Sequence, residues 1–142
     1  MGSQVRASEV SVGEELGAQS FPIQRVDLVR YAGASGDFNV IHWNERVATS
    51  VGLPNVIAHG MLTMAMAARV ITDWVGDPGA LVEYGVRFTK PVPVPDDEDG
   101  ATLRVGGKVT ELLDGNRVKV ELTATCDDTK VLGMARAVVQ LS

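Results

Sequence analysis

A short stretch in the first third of the chain combines an acid with an imidazole. Asp37 precedes His42 by five residues, and Asn39 lies between them. A second cluster at residues 58–61 reads Ala-His-Gly-Met and contains the other of the two histidines in the chain. A carboxylate and an imidazole can together take and return a proton, and a glycine offers an unobstructed backbone N–H to an oxygen that gains charge. The pattern predicts proton transfer beside a carbonyl group.

A predicted helix carries the first cluster. Apolar residues recur at helical spacing over residues 26–32, and Asp27 suits the positively polarised first turn of a helix. Gly33 and Gly36 are expected to end this helix. Residues 37–42 are therefore expected in a loop, where reactive side chains are often held by rigid elements.

The second cluster stands at the head of an apolar segment. Residues 61–75 are apolar on nearly every side, which predicts a buried helix that Gly76 ends. The segment is too short for a bilayer, which takes about 20 apolar residues. A shorter helix is predicted over residues 45–51, and residues 1–24 are interpreted as an entry segment interrupted by Gly13 and Pro22.

The apolar period changes to two after residue 80, which indicates a sheet. The predicted strands are residues 82–89, 101–113, 118–126 and 130–141. Turns are predicted at residues 114–116 and 127–129. Prolines alternating over residues 91–95 predict an extended path without ladder hydrogen bonds, and the acidic run 96–99 predicts a solvated loop. The expected fold is α+β, with a curved antiparallel sheet wrapped around the long helix.

The composition narrows the class of protein. The 142 residues fit one domain, residues 1–142, and the net charge of −5 argues against binding nucleic acid or a membrane surface. Cys126 is the single cysteine and is expected to be inert core, and no cluster of Cys and His has metal-ligand spacing. No bound metal is therefore expected. Because residues 1–6 lack the apolar core of a signal peptide, we expect a cytoplasmic protein.

The two clusters resemble the signatures of a known family. Residues 35–42, Ser-Gly-Asp-Phe-Asn-Val-Ile-His, look like the first hallmark of the MaoC-like dehydratases, also called R-specific enoyl hydratases or hydratase 2. Residues 58–61 look like the second, and the likeness extends to residues 74–79 and 86–88. It is greatest to short single-domain members that work with a non-identical partner. Val40 stands where the family usually has Pro, which leaves this loop freer.

The resemblance implies a hot-dog fold and reversible hydration of trans-2-enoyl thioesters to (3R)-hydroxyacyl thioesters of coenzyme A or acyl-carrier protein. Asp37 and His42 would carry the proton transfers, in an order that the sequence leaves open. The Gly60 N–H at the helix start would contact the thioester oxygen. No cofactor is expected, because the reaction only adds or removes water. A homodimer, or a heterodimer with a related hot-dog subunit, is expected from the exposed sheet edge.

Supporting roles are predicted around this pair. His59 and Asn39 are grouped with Gly60 as oxyanion or substrate-binding residues, although His59 would more simply cap the helix or orient a carbonyl, and Asn39 would shape the loop. Tyr31 is interpreted as a packing residue. The core is preferred to an acyl tunnel for Met61, Met64 and Met66. Solvated surface charge is preferred to a phosphate contact for Arg87 and Lys90.

Two alternatives to the hydratase remain. Hot-dog folds also support thioester hydrolysis, so the chain would be an acyl thioesterase if the pure protein released free thiol. The second alternative is a subunit that shapes the acyl channel of a heterodimer. Such a subunit should lack the acid and base, and this chain keeps both Asp37 and His42.

Overall fold

A six-stranded antiparallel sheet dominates the computed structural model, which describes residues 2–142. The strands are β1 (Glu15–Ile23), β2 (Leu81–Phe88), β3 (Ala101–Leu113), β4 (Arg117–Cys126), β5 (Thr129–Lys130) and β6 (Leu132–Gln140). Their order is β1-β3-β4-β6-β2, and the short β5 pairs with β4. The helices are α1 (Arg25–Ser35), α2 (Glu45–Ser50) and α3 (Gly60–Val75). The antiparallel sheet beside a long helix is confirmed.

One face of α3 packs against the sheet. Ala67, Ile71 and Val75 are fully buried and belong to the core shared with β1 and β3. The opposite face carries an exposed row at four-residue spacing: Met61, Ala65, Arg69 and Asp73. Burial on every side was therefore a wrong prediction for the single chain, because one sheet layer covers one side of a helix. No helix in the described part of the chain is long and apolar enough to cross a membrane.

Tyr84 connects strand β2 to helix α3. Its hydroxyl donates a hydrogen bond of 2.7 Å to the carbonyl oxygen of Met64, and burial raises the pKa of Tyr84 to about 12. We expect Tyr84→Phe to lower the free energy of unfolding by about 1 kcal/mol, measured by urea denaturation, because a buried hydrogen bond is lost. Tyr31→Phe is the control, since that hydroxyl bonds to no described residue. Equal losses in both variants would contradict the assigned bond.

Two tight turns connect the central strands as predicted. Gly115 and Asn116 both have positive φ, 74° and 58°, and join β3 to β4. Asp127 and Asp128 follow β4 with φ of 49° and 60°. Hairpins favour turns with positive φ at both central residues, which glycine, asparagine and aspartate adopt at low cost.

Two helix and strand limits differ from the sequence prediction. The entry segment, for which no strand was predicted from the sequence, contains β1, an edge strand that tolerates Pro22 because an edge position needs no N–H from it. Helix α1 runs through Gly33 and ends at Gly36, which adopts the left-handed conformation (φ 78°) and donates its N–H to the carbonyl of Ala32. A glycine inside a helix costs about 1 kcal/mol relative to alanine, which weakens a helix without ending it, so Gly33 does not stop α1.

The proline segment, residues 91–95, lies beside the residues that precede α3. It is extended as predicted, but it also pairs with residues 56–58 through the valines that separate the prolines. The Val94 N–H donates to the Val56 carbonyl, and the Ala58 N–H donates to the Val92 carbonyl, each at 2.9 Å. This pairing fixes the backbone directly before Gly60.

Candidate active site

Side-chain-to-backbone hydrogen bonds shape the loop between α1 and α2. Asp37 Oδ1 accepts the Asn39 N–H at 3.1 Å, and Asn39 Oδ1 accepts the Ile41 N–H at 3.3 Å. A single 3₁₀ turn, Val40–His42, follows. Asn39 thus shapes the loop, as its side chain predicts, and these bonds set the direction of both the carboxylate and the imidazole.

The Asp37 carboxylate faces the His42 imidazole. Asp37 Oδ2 lies 3.9 Å from His42 Nε2, which is too long for a direct hydrogen bond. The side chain of Asp37 is 51% exposed, whereas that of His42 is 8% exposed. The structure therefore brings together the two residues singled out in the sequence and leaves a gap in which one oxygen can bond to both.

A backbone carbonyl defines the tautomer of His42. His42 Nδ1 lies 2.7 Å from the carbonyl oxygen of Ile57, and a carbonyl oxygen only accepts hydrogen bonds. Assigned from this bond, Nδ1 carries the proton of the neutral ring. The lone pair on Nε2 consequently points toward Asp37, so His42 is arranged to accept a proton there. The sequence holds no signal for this role of Ile57, because it belongs to the backbone.

His59 lies beneath the pair and is 1% exposed. Its Nε2 lies 3.1 Å from the backbone carbonyl oxygen of Asp37 and donates to it. The ring stacks on His42 with centroids 3.7 Å apart and planes inclined by 20°, and the Tyr31 ring meets it edge-on at 4.8 Å. Burial lowers the pKa of His59, an effect that the bond to Asp37 partly opposes. His59 is therefore neutral at pH 7, and its buried Nδ1 has no hydrogen-bond partner among the described residues.

The lowered pKa of His59 predicts a loss of stability in acid. A histidine titrates near 6.5 when unfolded, so below that pH the unfolded chain binds the proton first, and the free energy of unfolding falls toward the lower native pKa. His59→Phe removes this contribution. We expect urea denaturation at about pH 7.5 and about pH 5.5 to show a larger acid-induced loss for the wild type than for His59→Phe. The groups that face His59 are Asp37, His42 and Tyr31. Equal losses of unfolding free energy in the two proteins would show that the pKa of His59 is not lowered.

Gly60 presents an unpaired N–H at the start of α3. This N–H bonds to no acceptor in the described part of the chain, as helix geometry leads one to expect for the first turn. The Phe88 ring lies directly over Gly60, and a Cβ added there would come within 2.9 Å of two ring carbons. Glycine is thus required for this close approach. Phe88 looked like an ordinary strand residue in the sequence, and only the fold places it at the site.

A cleft of about 400 Å³ lies in front of Gly60. Its lining includes Asp37, Gly60, Met61, Thr63, Phe88 and Lys90. Met61 is 57% exposed and is a cleft residue, whereas the sequence favoured a core position for it. Arg87 lines a separate depression beside β6. Of the predicted site residues, Asp37 and Gly60 line the cleft, and Asn39, His42 and His59 do not.

The donor set at the site does not fit a metal ion. Asp37, His42 and His59 offer ligand atoms within 4.8 Å of one another. A metal held by two imidazoles requires both lone pairs to converge on one point at about 2.0–2.1 Å. The two rings are stacked and nearly parallel, so their in-plane lone pairs run side by side. In addition, one nitrogen of each ring donates to a carbonyl.

Comparisons with known proteins agree with this architecture. A model of the family described as MaoC like domain matches residues 7–127. A solved structure named MaoC-like dehydratase superposes with a TM-score of 0.95 at 42% identity, covering 99% of this chain and 43% of that chain. An antiparallel sheet around a long helix, with these neighbours, is the hot-dog fold. The chain belongs to the MaoC-like family.

Two curated relatives carry names that describe chemistry. The 3-hydroxyacyl-thioester dehydratase X of Mycobacterium tuberculosis is 47% identical over 66 residues, 46% of this chain and 22% of the relative. The (R)-specific enoyl-CoA hydratase of Rhodospirillum rubrum is 36% identical over 90 residues, 63% of this chain and 62% of the relative. In both cases the chain spans less than two thirds of the relative's length.

Proposed function

We propose that this protein is a hydro-lyase that interconverts trans-2-enoyl and (3R)-hydroxyacyl thioesters. The observation that carries the proposal is the arrangement of Asp37 Oδ2 and His42 Nε2 across a 3.9 Å gap, together with the cleft that Asp37 and Gly60 both line. The names of the two curated relatives describe the two directions of this reaction and support it.

The pair supplies the proton chemistry. In hydration, a water held between Asp37 Oδ2 and His42 Nε2 attacks C3 of the enoyl group, one of its protons passes to the pair, and a proton is delivered to C2. Dehydration reverses these steps: the C2 proton is taken, and the C3 hydroxyl leaves as water after it gains a proton. His42 can hold the transferred proton on Nε2 while Nδ1–H keeps its bond to Ile57.

The thioester oxygen gains negative charge as the C2 proton leaves, and Gly60 is positioned to stabilise that charge. An unpaired N–H at a helix start has the partial positive charge of the helix dipole behind it. Such donors are most effective where water is excluded, and the Phe88 ring shields one side of Gly60.

Coenzyme A and acyl-carrier protein thioesters are the proposed substrates, and Lys90 on the cleft lining suits a phosphate of their pantetheine arm. No cofactor enters the reaction. Strand β2 is at an edge of the sheet, with Val82 and Phe88 exposed, so we propose a dimer with a second copy or a related hot-dog subunit. A cytoplasmic location is part of the same proposal.

Free thiol release distinguishes this activity from thioester hydrolysis. We expect the purified chain to remove the conjugated absorbance of a short trans-2-enoyl-CoA while a thiol reagent detects no coenzyme A above the protein-free background. Thiol release at the rate of absorbance loss would instead identify an acyl thioesterase. An enoyl-CoA and its saturated analogue provide the matched pair, because only a thioesterase acts on both.

A further inference from the structure

We propose that His59 is a positioning residue that holds the Asp37 carboxylate opposite His42 by donating a hydrogen bond to the Asp37 backbone carbonyl. The proposal rests on the function proposed for the Asp37–His42 pair. It assigns to His59 neither contact with the substrate nor transfer of a proton.

The hydrogen bond from His59 connects the Asp37 backbone to another element of the fold. His59 Nε2 donates to the Asp37 carbonyl across 22 positions of the sequence, at 3.1 Å. The Asp37 N–H bonds locally to Ser35 Oγ at 3.2 Å, within the exposed end of α1. The loop around Asp37 is exposed, and His59 is the buried side chain that bonds to the Asp37 backbone.

The first turn of helix α3 holds the backbone of His59. It is the N-cap of α3, and its carbonyl accepts the N–H groups of Leu62 at 3.0 Å and Thr63 at 3.3 Å. Its ring stacks on His42, and the next residue is Gly60. A single side chain therefore connects the carboxylate, the imidazole and the helix start that carries the unpaired N–H. A misplacement of about 1 Å at such a site can cost about 10²-fold in rate.

The ring of His59 cannot reach a substrate. The ring is 1% exposed, its Nε2 already donates to the Asp37 carbonyl, and its Nδ1 is buried, whereas His42 Nε2 faces the exposed Asp37 carboxylate. Its effect must therefore pass through Asp37 and His42. This separates the proposal from a packing role: packing depends on the ring, whereas positioning depends on the N–H donor at Nε2.

Two substitutions separate the donor from the ring. His59→Gln places an amide N–H near the position of Nε2 and loses the ring, while His59→Phe keeps the ring and loses the donor. We expect His59→Phe to lower kcat by about 10–100-fold with KM within about 2-fold, and His59→Gln to stay within about 3-fold of the wild type. Activity of His59→Phe equal to or above that of His59→Gln would overturn the proposal and favour packing.

The hydrogen bond can be tested without an activity assay. The chain has two histidines, so ¹⁵N NMR of the imidazoles should resolve both rings. We expect His59 to be the neutral Nε2–H tautomer and His42 the Nδ1–H tautomer. The circular dichroism spectra of both His59 variants should match that of the wild type. A His59 ring protonated at Nδ1 would overturn the proposal. An Nε2–H tautomer in a protein inactive on enoyl thioesters would refute the proposed function while leaving the hydrogen bond established.

Discussion

Asp37→Asn is expected to lower kcat by about 10²–10⁴-fold while the protein folds normally. The amide oxygen of Asn can still accept the Asn39 N–H, so the loop keeps its shape. The amide cannot hold a proton at the position of Oδ2, and it cannot accept a hydrogen bond there if its nitrogen faces His42. The measurement is steady-state hydration of a trans-2-enoyl thioester, with KM expected to change little.

The control for this variant is Asp96→Asn, an exposed aspartate in the acidic loop that does not line the cleft. It should match the wild type. The kcat of His42→Ala should be as low as that of Asp37→Asn. The kcat of the double variant should be only slightly lower, because the effects of groups that act as a unit are not additive. Multiplicative losses in the double variant, or near-normal kcat in both single variants, would contradict a joint role.

Gly60→Pro is expected to lower kcat by about 10²–10³-fold because it removes one N–H donor from the developing oxyanion. Proline is well tolerated at the first position of a helix. The preceding residue, His59, already has the extended conformation that proline requires, with φ −60° and ψ 132°. The helix start should therefore survive, which circular dichroism can verify.

Gly60→Ala is the matched control for the proline variant. Both variants add a Cβ against the Phe88 ring, so any displacement of that ring is common to the two. Alanine keeps the N–H and proline does not. The ratio of the two kcat values therefore isolates the donor, and we expect it to be about 10²–10³. Equal kcat values would mean that the Gly60 N–H does not contact the reacting oxygen.

The sequence predicted the elements whose signals are local. The turns at Gly115 and Asp127 follow from residues that accept positive φ, and the end of α1 follows from Gly36. Helix α2 ends at Ser50, one residue before its predicted end. The two clusters were predicted to form one site because their residue types are unusual at that spacing, and Asp37 and Gly60 do line one cleft.

Features that depend on contacts distant in sequence were not predicted. Strand β1 contains Gly17 and Pro22, which obscure its pattern, and it forms because β3 offers a partner. The exposed row on α3 depends on how many layers cover the helix, which periodicity does not encode. Phe88 meets Gly60 through the placement of β2 in the sheet, and Ile57 meets His42 through backbone pairing with the loop and the proline segment. Neither contact has a local signal in the sequence.

The most direct test of the central claim is hydration by the purified chain. A short trans-2-enoyl-CoA and the matching acyl-carrier-protein thioester would each be incubated with wild type and with Asp37→Asn, with the enoyl absorbance followed and the product's configuration determined. The proposed function predicts loss of absorbance with the wild type, a (3R)-hydroxyacyl product, and no reaction above background with Asp37→Asn. A (3S) product, an unaffected Asp37→Asn variant, or no reaction of the wild type with either thioester would contradict it.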